Sequence, residues 1–134
     1  MFEYTVLLII LFLMHTLADF VMQDRYHQGK FNHKGWVLPL LDHSWQHSLM
    51  TLLGFVVWMI LFSAFSTSLF VLAIGLSVVN LIVHFCVDRV KAHPSISRKY
   101  VYPSKMYFMF LGFDQYAHIV TTLILGGIFF TYVG

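Results

Sequence analysis

An all-α bundle of four membrane-crossing helices is the fold class this sequence predicts, and three observations predict it. Hydrophobic residues make up 59% of the 134 and charged residues only 10%, with a mean hydropathy of +0.77; a water-soluble domain has a different balance. Four segments each reach the roughly 20 apolar helical residues that a hydrocarbon core about 30 Å thick requires. Every Lys and Arg lies in or beside two of the three connections between those segments: Arg25, Lys30 and Lys34 in one, Arg89, Lys91, Arg98, Lys99 and Lys105 around the other.

The first span covers about residues 2–22. Glu3 stands where a signal peptide would be basic, and no small-residue cleavage site precedes the polar Gln23-Asp24-Arg25 exit, so this segment is expected to remain a helix. The second and third spans, about residues 38–65 and 67–90, are separated by a tight polar turn at 63–68, which makes them antiparallel neighbours. The fourth covers about residues 106–133. No Pro/Gly/Ser-rich linker, charge block or repeat divides the chain, so a single domain over residues 1–134 is expected. The positive-inside rule turns both basic loops toward the cytoplasm and both termini outward, an N-out, C-out arrangement for a bacterial-type inner membrane. Trp36, Trp45, Tyr100, Tyr102 and Tyr107 fall where an interfacial aromatic belt belongs. A net charge of only +2 and the lack of an aromatic-interleaved basic stripe exclude nucleic acid as a partner class. The single Cys86 excludes an internal disulfide and is expected to pack in the core.

Each span carries one polar pair near its cytoplasmic end: His15/Asp19, His43/His47, His84/Asp88 and Asp114/His118. All four pairs have a four-residue spacing, which places both members on one helix face. Depth is an independent check. The pairs come late in the inward-running helices and early in the returning ones, so at 1.5 Å per residue all eight groups fall in a slab about 5 to 15 Å below the cytoplasmic interface. A carboxylate there costs about 2.5 to 3.5 kcal/mol on insertion scales. The sequence places no Lys or Arg at that depth except Arg89, so a divalent cation is the expected compensation for Asp19, Asp88 and Asp114. Imidazole with carboxylate suits zinc first, with iron and manganese as alternatives. Eight donors exceed the needs of one tetrahedral ion, so one or two ions are expected, two being favoured. The opposing reading of polar pairs that merely join helices suits one pair better than four in register.

Further polar groups receive smaller expectations. Asn80 and Gln23 lie one turn from ligand positions and are expected either to support the ligands or to join helices. Asp42 and Gln46 run beside the His43/His47 face. Gln115 is expected to point elsewhere than Asp114, toward a neighbouring helix or the cytoplasmic mouth, and His27, His33 and His93 are expected to be solvated loop residues.

His15-Thr-Leu-Ala-Asp19 followed by Gln23, the His43/His47 pair, His84-Phe85 with Asp88 and Lys91-Ala92-His93, and Asp114-Gln115 with His118 together resemble an uncharacterised family of small bacterial and phage inner-membrane proteins of unknown function. The likeness spans nearly the whole chain. That family is similar to membrane-bound metal-dependent hydrolases, so the resemblance implies hydrolysis without naming a substrate, and it carries Gln23, Lys91 and Gln115 along with the eight donors. Where the family pattern ends its third motif in a basic residue, this chain has His93.

The chemistry follows from the donors. A metal with an open position polarises a phosphoryl or carbonyl oxygen and lowers the pKa of water toward about 7. Asp19 or Asp114 could then serve as the catalytic general base, and Arg89, Lys91, Lys30 and Lys34 at the mouth could hold an anionic substrate group, beside the stronger reading that topology alone accounts for these basic loops. The expected function is metal-dependent hydrolysis of a membrane-proximal, phosphate- or ester-containing substrate reached from the cytoplasm. Three rivals stand beside it. A di-iron-type redox enzyme would use bridging Glu residues, which the spans lack at the site. A metal-ion or proton transporter would need polar stations continuing through the outer half. A structural metal staple would close every coordination position.

Overall fold

The computed structural model describes residues 1–97 and 102–133. Arg98, Lys99 and Tyr100, which enter the topology and belt expectations above, lie outside the described residues. Helix α1 runs Phe2–Phe20, a short 3₁₀ helix His27–Phe31, α2 Val37–Leu61, α3 Thr67–Ala92, a single turn α4 Pro94–Ser97, and α5 Lys105–Thr131. Of these, α1, α2, α3 and α5 are long and apolar enough to cross a membrane; in hydrocarbon each must satisfy its backbone groups internally, as an α-helix does.

The helix starts are written locally. Ser66 accepts from the Leu69 amide and Ser104 from the Tyr107 amide, both at 3.2 Å, each satisfying one of the free donors of a first turn. Pro39 sits in the first turn of α2, where a missing amide hydrogen costs nothing. Helix α2 stops at Leu61, earlier than expected, because Ser63 turns to φ +52° and the Ala64 amide reaches back to the Met59 carbonyl.

The four long helices close a ring in the order α1, α2, α3, α5, each packed on two neighbours. One inward stripe runs down each helix and changes chemistry at the same height. On α1 it is Leu7, Leu11, His15 and Asp19; on α3 it is Ala73, Leu76, Asn80, His84 and Asp88. Helix α5 enters with Asp114 and His118 and continues with Leu125 and Phe129, while α2 passes from His43 and His47 to Phe55, Trp58 and Met59. One end of the bundle is therefore an apolar core, with Phe55 stacked on Phe129 at 4.4 Å and the Trp58 indole donating to the Glu3 carbonyl at 2.8 Å. The other end, toward residues 21–36 and the end of α3, is polar inside. Between α2 and α3, Ser48 donates to the Ser77 carbonyl at 2.7 Å and Asn80 to the Thr51 hydroxyl at 2.8 Å. The outward faces carry Ile9, Leu13, Leu53, Val71 and Ile82. Cys86 is on such a face, exposed, and not in the core as expected.

Candidate metal centre

Two carboxylates organise the polar half. Asp19 Oδ1 lies 3.2 Å from His47 Nε2 and 3.5 Å from His43 Nε2, while its Oδ2 lies 3.3 Å from His15 Nε2 and accepts from Gln115 at 3.1 Å. Asp88 Oδ1 lies 3.3 Å from His118 Nε2 and 3.7 Å from His84 Nε2; its Oδ2 accepts from Lys30 Nζ at 2.7 Å and is 3.4 Å from His43 Nε2. Asp114 faces His118 through Oδ1 at 3.4 Å and Lys91 through Oδ2. The rings of His47, His84 and His118 form a column, with centroids 3.7 Å and 4.2 Å apart. The structure thus brings all eight expected donors together, two from each long helix.

Among the described residues, two groups of donor atoms are close enough to hold an ion: Asp19, His43, His47 and His84, and His84, Asp88 and His118, each set lying within 4.8 Å. His84 belongs to both. The Nδ1 atoms of His43, His47 and His84 are buried without a hydrogen-bond partner, and the Nε2 atoms of His15, His43 and His84 meet Asp carboxylates only at 3.3–3.7 Å, without forming a hydrogen bond. A buried polar atom left unpaired costs about 1–3 kcal/mol, and native structures keep few of them. A cation coordinated by such nitrogens removes that cost, so these buried His and Asp residues could hold a metal ion. Imidazole with carboxylate is the donor chemistry of zinc, iron and manganese.

The expectation that Arg89 is the sole basic group near this depth is corrected by the strap joining α1 to α2, residues 21–36. There Asp24 Oδ1 accepts from the Tyr26 amide at 2.8 Å and from the His27 amide at 3.3 Å. The His27 amide first, then that of Tyr26, holds the Asp24 carboxyl below its ordinary pKa. The 3₁₀ turn that follows lies so close to α2 that a Cβ on Gly29 would come within 2.8 Å of the Pro39 ring. It drives Lys30 inward until the residue is 2% exposed and paired with Asp88. Lys30 is therefore inside the cluster and not at its mouth. Lys91 supplies a second ammonium, against Asp114. The Arg89 guanidinium instead stacks 3.6 Å from the centre of the Trp36 ring, pinning the end of the strap to α3, and Lys34 is exposed.

His27 is likewise no solvated loop residue. It is buried, its Nδ1 accepting from the Asp24 amide at 3.1 Å and its Nε2 lying 3.0 Å from Asp42 Oδ2, with Gln46 beside it at 3.2 Å. His33 and His93 are exposed as expected. Gln115 reaches toward the neighbouring helix α1, where its amide donates to Asp19 and so joins the cluster. Asn80 joins α3 to α2. Gln23 lines a cleft of about 610 Å³ between the ends of α1 and α3 and the start of α5, with Gln28, Lys91, Ser97, Tyr107 and Leu111. Lys91 spans the wall between this cleft and Asp114.

Two signals for the missed residues were present. Three carboxylates at one depth demand compensation, and the lysines nearest to them are Lys91 at the end of α3 and Lys30 in the strap. Gly29 beside Lys30 permits the close approach to α2 that buries it.

A family model described as "Protein of unknown function (DUF3307)" matches residues 7–133. No curated protein and no solved structure matches the chain.

Proposed function

The chain belongs to the DUF3307 family of proteins of unknown function, and from that premise we propose that it is a membrane-embedded, metal-dependent hydrolase. In this reading it acts from the cytoplasmic side of a bacterial-type inner membrane on a membrane-proximal phosphate or carboxylic ester. The observation that carries the reading is the convergence of donor atoms from all four long helices within 4.8 Å in each group, with buried imidazole nitrogens lacking hydrogen-bond partners. Asp19, His43, His47 and His84 would hold the ion, zinc being the first candidate. When bound, it supplies Lewis-acid charge at the scissile group and lowers the pKa of water toward about 7.

The chain's own residues account for the remaining tasks. Asp114 lies outside both donor groups, so it is the carboxylate available to take the proton of the attacking water. Lys91 shares Asp114 and opens onto the cleft, where its ammonium meets an incoming anion. Gln115 holds Asp19 in place. Tyr107 and Leu111 give the cleft an amphipathic wall suited to a substrate that is part lipid and part polar.

The apolar half of the bundle favours a one-sided pocket over a transport path. Leu7, Leu11, Phe55, Trp58, Leu125 and Phe129 fill the centre beyond the donors, where an ion path would need polar stations. Elemental analysis of the purified protein, beside His47→Ala and Asp88→Asn, tests the reading together with turnover screens on phosphate and carboxylic esters. Stoichiometric zinc or manganese with ester turnover supports it. Wild-type protein that takes up no metal removes it. Iron with a visible chromophore replaces it with redox chemistry, and ion uptake by loaded vesicles without turnover replaces it with transport.

A further inference from the structure

We infer that the centre takes one divalent ion at a time, because Lys30, a tethered cation on Asp88 Oδ2, already supplies beside Asp88 the positive charge that a second ion would bring. The inference rests on the metal-binding reading above and specifies the residues that limit it. Three features of the cluster carry it.

The first is charge. Asp19, Asp88 and Asp114 bring three negative charges, and Lys30 on Asp88 and Lys91 on Asp114 return two positive ones, leaving a deficit of one. Imidazoles that ligate a metal are neutral. One divalent ion then takes the cluster to a single positive charge, which a hydroxide or a singly charged ester phosphate neutralises. Two ions would take it to three positive charges in a site where Asp88, Asp114, His43 and His84 are at most 5% exposed, and uncompensated charge in such surroundings is heavily penalised.

The second feature is that His84 belongs to both donor groups. A neutral imidazole has one nitrogen lone pair to give, so with His84 committed to the Asp19 group the Asp88 side keeps only Asp88 and His118, too few donor atoms while Lys30 holds Asp88 Oδ2. The third is the position of Lys30 itself. It lies 2.7 Å from Asp88 Oδ2, and the Asp88 group has only three donors. Asp19 carries no lysine, and its group has four. The ion is therefore assigned to Asp19, His43, His47 and His84, with Lys30 holding Asp88 in reserve.

The test is stoichiometry. Wild-type protein, Lys30→Arg and Lys30→Met are each equilibrated with Zn²⁺, freed of excess by gel filtration and analysed for metal per chain. The expected result is one equivalent in wild type and in Lys30→Arg, and two in Lys30→Met. Loading wild type with Mn²⁺ gives a measurement that needs no variant: an isolated-ion electron paramagnetic resonance spectrum is expected. An exchange-coupled spectrum, or two zinc equivalents in wild type, overturns the inference and leaves the metal reading intact. One equivalent in both wild type and a folded Lys30→Met overturns the role given to Lys30. No metal in wild type removes both.

Discussion

Asp88→Asn should destabilise the metal-free protein more than any single change on the outer faces, and the reason can be worked from the Lys30 contact. The ammonium and carboxylate are 2.7 Å apart, and each side chain is 3% exposed. At an effective dielectric constant of about 20, their attraction is about 6 kcal/mol. Desolvation cancels much of that. Removing one partner, however, strands the other, and a stranded buried charge costs about 3–5 kcal/mol. Asp88→Asn leaves Lys30 enclosed with no carboxylate in contact, so a loss in that range is expected. Combining it with Lys30→Met removes the stranded charge, and the double variant should recover about 2 kcal/mol or more relative to Asp88→Asn alone. The assay is reversible unfolding by SDS in mixed micelles, with chelator present so that no ion binds Asp88. If the two single losses simply add in the double variant, Lys30 and Asp88 are not energetically coupled, and the placement of Lys30 inside the cluster is wrong.

Other consequences are open to direct measurement. Trp36→Ala removes the ring on which Arg89 stacks and should cost about 1–2 kcal/mol; Trp36→Phe should restore part of it in the same unfolding assay, and identical losses for both would exclude the stacking account. A Cβ at Gly54 meets Leu11 Cδ2 at 2.9 Å, so Gly54→Ala should cost little while Gly54→Val costs about 1–3 kcal/mol through overpacking of α1 on α2. The Asp24 carboxyl is held below its ordinary value by the His27 and Tyr26 amides. A depressed carboxylate contributes its stabilisation above its unfolded pKa of about 3.9 and loses it as pH falls through the lower folded value. Asp24→Ala should therefore speed hydrogen exchange at those two amides at neutral pH, with the difference from wild type disappearing in acid; a difference that persists in acid would assign the protection elsewhere.

The parts of this protein legible in its sequence are those governed by local periodicity. Four spans and four donor pairs follow from a 3.6-residue helix and a fixed membrane thickness, so the convergence of Asp19, His43, His84 and His118 could be argued before any coordinates. The path of the strap could not, although the need for compensating charge and Gly29 beside Lys30 pointed toward it. Lys30 and His27 are buried by the way residues 21–36 fold back between α2 and α3, a tertiary event with no periodic signature. That Gln115 joins the cluster was not legible, because the direction of its Cα–Cβ bond says little about where a long side chain can bring its amide. Cys86 shows a limit specific to membranes: lipid is as apolar as a protein core, so hydropathy cannot tell which face of a helix looks inward.

The two donor groups divide unequally between the halves of the chain. His84, Asp88 and His118 all belong to the hairpin of α3 and α5, whereas the Asp19 group draws on α1, α2 and α3. Opening the chain at the turn after Leu61 would leave the second hairpin with a complete three-donor set and no lysine from the strap beside Asp88. Joining the hairpins delivers that lysine and the four-donor group in the same step, so where an ion sits would report whether the molecule has been put together.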